Sequence, residues 1–571
     1  MSALGVQRNT ALPGTKSSAW VGVVAVFIAV FMQMVDATIV IVAIPDIVRD
    51  LGASSAESSL MLTGYTVALA CSLLPSARLG MRWGRGGFFT AAVALFVVAS
   101  VLCGVAPTPL TLIAARVLQG AAAGAVSAQP IAIITERFAD SRRRNLAFAL
   151  YGATAGTAAM LGPLVGGLLL GANPLDLSWR SIFLVNLIPG AVVLVLAARH
   201  LRGSVRSQRA TLDPMGAVLA ATGLFLLVYG LSIGREHAWS PPILAMLTAS
   251  VIILAGFVAH ERRLSGRGGS PLVDPGLFAS ARFLWWILAC LVVYGVFAAY
   301  LFTMSVSLQF GLGYSALRTG VTTLPFSAGA VLGALSAPRL ADRLGDRMIG
   351  IGFVLFGVLL VGWLLALEPT PAALSWPVLL IPLALGGFGV GMAAARLQIA
   401  VVAAVPPRSV DSASGLVPAA QQVGNSLGVA LIGILFFHAV GAAAPSAVEP
   451  EQEQLKRELS IVTPFAPGIA DEFARCATLQ LRSPTPERTP TGCEHSATGT
   501  TPAAAKLREQ TSTAVEESAR RVSGTVFVSA FRTSAVVLLV LLTAAGVPFL
   551  ARLRRNRPPS KPEVPVRQAR I

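Results

Sequence analysis

Fourteen stretches of this chain stay apolar long enough to cross a bilayer, and the polar residues collect between them. They run at about 20–44, 59–78, 87–106, 110–135, 146–171, 181–199, 214–233, 241–260, 283–308, 320–340, 348–367, 376–404, 414–438 and 525–550. A helix needs ~20 apolar residues to span the hydrocarbon core, so each stretch is long enough. The pattern predicts an all-α polytopic membrane protein of fourteen transmembrane helices, with both termini on one side. Composition agrees, since only 12% of the 571 residues are charged, 54% are hydrophobic and the mean hydropathy is +0.72. A soluble domain carries about 25% charged residues.

The net charge of +17 would suggest nucleic acid on a soluble protein, but its placement excludes that reading. With the N-terminus inside, the inner segments hold 28 Lys and Arg and the short outer loops hold four, Arg49, Arg180, Arg235 and Arg318. That asymmetry is the positive-inside signature. It predicts a multi-pass protein of the cell membrane with a cytoplasmic N-tail (1–19) and a basic cytoplasmic C-tail (551–571). The long segment 439–523, between the last two helices, then lies outside with nine basic and 11 acidic residues. Amphipathic helices are expected near Glu451–Leu459 and Ala503–Val522, with irregular chain elsewhere. Cys476 and Cys493 are its only cysteines, on the oxidising side, as a disulfide or as two free thiols. No cysteine or histidine spacing forms a zinc site, and no Gly-Lys-Ser/Thr loop is present, so neither metal nor ATP is expected.

Few ionisable residues fall inside the spans. Asp36 is the one carboxylate well within a span, and a charged group there costs several kcal/mol. A carboxyl that gains and loses a proton as its surroundings change escapes that cost; a permanent ion pair is the alternative. Arg116 in helix 4 keeps its charge and needs an anion, a carbonyl or water. Arg396 in helix 12 either faces a cavity or snorkels to the surface. Gln398, Gln421, Gln422 and Asn425 are neutral polar candidates for a cavity lining or for interhelical bonds.

Several motifs add to this. Asp36-Ala-Thr-Ile-Val-Ile-Val-Ala-Ile-Pro45, Ala77-Arg-Leu-Gly-Met-Arg-Trp-Gly-Arg85, Arg116-Val-Leu-Gln-Gly120, Gly162-Pro-Leu-Val-Gly-Gly167 and Trp179-Arg-Ser-Ile-Phe-Leu-Val-Asn186 follow one another in order. Together they resemble the fourteen-spanner drug:proton antiporters (EmrB/QacA type) of the major facilitator superfamily, over nearly the whole chain. Pro338-Arg-Leu-Ala-Asp-Arg-Leu-Gly-Asp-Arg347 repeats the second motif 261 residues later. The resemblance implies a major facilitator fold of two six-helix halves (20–199 and 283–550), with helices 7 and 8 inserted in 200–282. It implies gating loops around Arg82, Gly84 and Arg85 and around Asp342, Arg343 and Gly345. Met81 stands where the family's first loop carries an acid that helps latch the halves. Gly162, Pro163, Gly166 and Gly167 would kink helix 5 and let it pack closely, and Arg116 would tune a carboxylate such as Asp36.

The function expected is a proton-driven exporter of amphipathic small molecules, without cofactor or enzymatic activity, working as a monomer. Its partners would be the lipid bilayer, a lipophilic substrate and protons, with no nucleic acid. Neutral, monocationic or zwitterionic cargo is expected over dications, because helix 10 has no acid inside its span. A dedicated exporter of one endogenous metabolite, siderophore or lipid is the alternative, and a non-transporting membrane sensor stands third.

Overall fold

The computed structural model describes residues 16–201, 213–367, 376–406, 409–461, 463–483, 493 and 502–552. Among them the chain is helical, without a strand. In a bilayer this follows from backbone accounting, because a helix satisfies its own N–H and C=O groups where water cannot. The spanning helices are α1 (Lys16–Leu51), α2 (Ser55–Trp83), α3 (Arg85–Gly104), α4 (Pro109–Ser127), α5 (Ser141–Ala172), α6 (Leu187–His200) and α7 (Pro214–Ile233). They continue with α8 (Pro241–Gly266), α9 (Ala281–Val306), α10 (Ala316–Leu344), α11 (Arg347–Ala366), α12 (Trp376–Ala403), α13 (Val410–Ser460) and α14 (Pro502–Arg552). Local chemistry sets several of their starts. Ser54 and Glu57 form a reciprocal capping box on α2, Thr108 caps α4 ahead of Pro109, and Asp213 caps α7 ahead of Pro214. Such caps satisfy amides that no helical carbonyl can reach.

Two spans are broken. Helix α4 ends at Ser127 and a separate turn, Pro130–Arg137, completes the crossing. Gln129 at the break donates to the Ser76 carbonyl of α2 at 2.9 Å. The sixth span begins as Ser181–Leu184 and resumes at Leu187, which leaves Asn186 at the junction and buried.

Helices α1 to α6 pack with one another, as do α9 to α14; α5 against α10 and α12, and α2 against α13, join the two groups. The α7–α8 pair packs chiefly on α2, and α7 also touches α13. The face bearing the start of α1 and the end of α14 is called the terminal face, and the opposite one the loop face. The repeated motif appears as two sharp turns on the terminal face, where Gly84 has φ 91° and Gly345 has φ 53°, a region that favours glycine.

The segment expected to be mostly irregular is instead largely helical. Helix α13 runs unbroken through 439 to Ser460, 51 residues in all, or about 76 Å at 1.5 Å per residue. The hydrocarbon core is only ~30 Å thick, so its end stands well clear of the membrane. The two amphipathic stretches are therefore continuations of α13 and α14, and a further outer helix, Ala466–Arg482, packs beside α13. The reason lies in the residues, since Ala, Glu, Gln, Lys and Arg after 441 are strong helix formers, and Pro445 and Pro450 are carried within the helix. Phe473, Ala470, Leu455 and Leu459 are buried between the helices, and Arg521 pairs with Glu451 at 2.8 Å. Cys476 and Cys493 form a disulfide with Cα atoms 5.7 Å apart, while Cys71, Cys103 and Cys290 are free thiols. A maleimide applied to denatured, unreduced protein should therefore label three of the five cysteines, and all five after reduction, with mass spectrometry as the count.

Candidate functional site

The buried polar centre is built on α1. Asp36 lies mid-helix with 1% of its surface exposed, where an ionised carboxylate requires donors on every side. Four other elements supply them or their supports. Arg116 of α4 reaches Asp36 Oδ2 through Nη1 at 2.6 Å. Gln119, one turn further along α4, donates Nε2 to Oδ1 at 2.9 Å, and Asn186 donates Nδ2 to the same oxygen at 2.7 Å. Ser100 of α3 accepts from Gln119 at 2.7 Å and from Asn186 at 3.1 Å. Arg116 is held in turn by the Met61 carbonyl of α2 at 3.3 Å and by Gln119 Oε1 at 2.8 Å. Its guanidinium carbon sits 4.2 Å from the centre of the Tyr65 ring and 5.8 Å from that of Phe183, where cation–π attraction adds to the ion pair. Tyr65 donates its hydroxyl to the Gln33 carbonyl at 2.9 Å.

Two buried groups at this centre have no protein partner: Arg116 Nη2 and both side-chain polar atoms of Gln33. A buried donor without a partner costs about 1–3 kcal/mol, so these atoms mark where water or another polar group would be taken up.

Glycines set the distance to α5. A Cβ on Gly162 would lie 1.9 Å from Thr38 Oγ1, and one on Gly166 would lie 2.9 Å from the Ile39 side chain. Both faces are on α1, within one turn of Asp36. Gly167 instead faces Leu317 of α10, where a Cβ would come to 3.3 Å. Pro163 is carried inside the continuous helix α5.

Other residues singled out in the sequence lie elsewhere. Arg396 pairs with a carboxylate on the terminal face. Its Nε and Nη2 bind Asp346 Oδ1 at 2.9 and 2.6 Å, because its long side chain reaches the partly exposed carboxylate in the turn after Gly345. Arg85, at the matching place after Gly84, pairs with Glu136 at 2.8 Å. Arg82 and Arg343 are exposed, and the side chain of Asp342 lies outside the described residues. Gln398 is buried against Tyr294 of α9 with Oε1 unpartnered, as is Gln421 Nε2. Gln422 and Asn425 are half-buried on α13. None of these four belongs to the Asp36 centre.

Gln119, Asn186, Ser100 and Tyr65 complete the centre and were not singled out from sequence. Gln119 was detectable, because it lies three residues after Arg116 and so on the same helical face. Asn186 is a polar residue within an apolar run, but only the break in the sixth span turns it toward Asp36.

Comparison with known proteins identifies the architecture. The family model described as Major Facilitator Superfamily matches residues 26–429. The chain belongs to the Major Facilitator Superfamily. It is 31% identical over 566 residues to the probable actinorhodin transporter of Streptomyces coelicolor, covering 98% of this chain and 95% of that one. It is 35% identical over 436 residues to the puromycin resistance protein pur8 of Streptomyces alboniger, covering 76% and 84%. To the cephamycin export protein CmcT of Amycolatopsis lactamdurans it is 33% identical, covering 76% and 88%. In fold it is similar to the crystal structure of the human organic anion transporter MFSD10 (TETRAN), with a TM-score of 0.52 at 13% identity, covering 92% of this chain and 99% of that one. A major facilitator protein is a multi-pass membrane transporter, and the Asp36 centre lies inside its first helix group.

Three substitutions test this packing. Arg116→Ala leaves Asp36 buried without its cation, and breaking such a pair costs about 3–5 kcal/mol; the melting temperature in detergent should fall by several degrees. Gly162→Val should abolish α1–α5 packing and give little folded protein by size-exclusion chromatography, whereas Gly171→Ala, with open space around it, should behave as the parent.

Proposed function

We propose that this transporter is a proton-coupled exporter of lipophilic, antibiotic-like small molecules, with Asp36 as the proton-carrying group. The observation that carries the reading is a carboxylate mid-helix whose one cationic partner, Arg116, also has an unpaired donor. A proton on Asp36 removes the anion from that pair and frees Arg116 for Gln119, Gln33 or water. Its loss restores the pair. The helices holding the partners, α3, α4 and α6, thereby feel the proton directly, and the two states can favour opposite openings of the bundle.

The terminal face is the cytoplasmic one in this reading, on the strength of the 28 basic residues in segments on that side against four in the short loops opposite. Protons enter Asp36 from the loop face and leave toward the terminal face as cargo moves outward. The family and the relatives' printed names support export of antibiotics as the class. Cargo specificity toward a single product is the second reading, and one observation favours it. The relative matching nearly the whole chain, including the outer extension, is named for a single compound.

An efflux assay in an exporter-deficient host tests the coupling. Asp36→Asn, expressed at parental level, should lose at least about 90% of proton-gradient-dependent export, as loss of a proton-coupling group implies. Export by Asp36→Asn at the parental rate would remove Asp36 from the cycle.

A further inference from the structure

Three consecutive residues, Leu272 to Asp274, tie three separate parts of the molecule together at the terminal face. The Leu272 carbonyl accepts from Arg78 Nε of α2 at 3.0 Å. The Val273 amide donates to Glu261 Oε2 of α8 at 3.0 Å. The Asp274 amide donates to Ser412 Oγ of α13 at 3.0 Å, and its carboxylate accepts from Ser409 Oγ at the entry to α13. Leu272 and Val273 are buried with Leu74 of α2, Ala220 and Leu224 of α7 and Phe257 of α8. One short segment thus contacts the first helix group, the inserted pair and the second helix group.

The anchor on the inserted pair is itself tightly built. Glu261 is fully buried against Asp213, which caps α7 through the Gly216 amide at 3.0 Å and faces His260 Nε2 at 3.0 Å. A Cβ on Gly216 would lie 2.3 Å from Asp213 Oδ2 and 2.4 Å from Glu261 Oε1, so only glycine admits both carboxyls. Glu261 and Asp274 also lie within electrostatic reach of Arg78. The last turn of α2, after Arg78, has the buried, uncharged Met81 where the repeat has Asp342. Beside these contacts α2 and α13 touch, since a Cβ on Gly415 would lie 3.0 Å from that of Ala77.

We propose that the Leu272–Asp274 segment is the latch closing α2 against α13 at the terminal face, with Arg78, Glu261 and Asp274 as its positioning residues. Asp274, with Glu261 of the neighbouring α8, brings carboxylates within reach of Arg78 where the last turn of α2 has the uncharged Met81, and the segment makes the inserted helix pair a working part of the transport cycle. Opening this face requires the Arg78 or the Asp274 contacts to part, while Glu261 keeps the segment on the inserted pair. The latch rests on the exporter reading for its place in a cycle, but its closure can be measured without transport.

Ala77→Cys with Gly415→Cys, in a chain also carrying Cys71→Ser, places two thiols near disulfide reach, for which Cβ atoms lie about 3.5–4.5 Å apart. In membranes treated with a mild oxidant, without substrate or proton gradient, this pair should cross-link readily. Adding Arg78→Gln, or Asp274→Asn together with Ser409→Ala and Ser412→Ala, should slow cross-linking about fivefold or more, as expected for loss of hydrogen bonds to charged groups. Should the cysteine pair not fold, nitroxides at Trp83→Cys and Arg282→Cys, both exposed on the terminal face, replace it, and their distance distribution should broaden outward in the cut variants. Unchanged cross-linking or unchanged distances in cut variants that retain the parental melting temperature would overturn the latch. Failure of export by Asp36→Asn tests the exporter reading separately and leaves this measurement untouched.

Discussion

The ion pair between Asp36 and Arg116 is the constraint from which the first helix group takes its form. Removing both charges from water costs several kcal/mol per ion, recovered only through close geometry and further hydrogen bonds. The protein meets that requirement with Gln119, Asn186 and Ser100 around one carboxylate. Those residues come from α4, the break before α6 and α3, so these elements must converge on one point of α1. The break in the sixth span follows from the same need, because Asn186 reaches Asp36 from the junction between two helical pieces. Helix α5 approaches the other side only because Gly162 and Gly166 carry no side chain. Packing, helix continuity and glycine placement thus follow from one buried carboxylate.

The repeat shows which features of the terminal face matter in both groups. Arg85 pairs with Glu136, and 261 residues on Asp346 pairs with Arg396. The signs are exchanged while the pairing survives. Both pairs place the turn after Gly84 and after Gly345 against the neighbouring helix. Sign matters more at the α2–α13 contact, where Met81 offers no charge and α8 and the segment after it bring Glu261 and Asp274.

Much of this was legible in the chain. The fourteen spans follow from apolar run length, and Asp36 stood out because so few charges enter the membrane. The course of 439–523 was not legible, because prolines and a mixed polar composition resemble irregular chain, whereas strong helix formers continue α13 through Pro445 and Pro450. Arg396 was ambiguous for a different reason. Its side chain is long enough to serve a cavity or a surface, and only the position of Asp346 decides between them. Contacts far apart in sequence, such as Arg78 with Leu272, leave no periodic trace at all.

The two helix groups also differ in what they bury at equivalent depth. At the repeat spacing from Asp36 stands Phe297 of α9, which stacks on Phe326 at 5.9 Å. Phe326 in turn lies 6.0 Å from Tyr300, whose hydroxyl accepts from Trp363 at 3.0 Å. One group therefore concentrates a charge at mid-membrane and the other an aromatic cluster. For an exporter this division has a consequence. A cationic cargo would have to compete with Arg116 for Asp36, whereas the buried aromatic cluster of the second group carries no charge. In the proposed cycle, proton and cargo would then occupy different helix groups, which avoids placing two charges in one low-dielectric site.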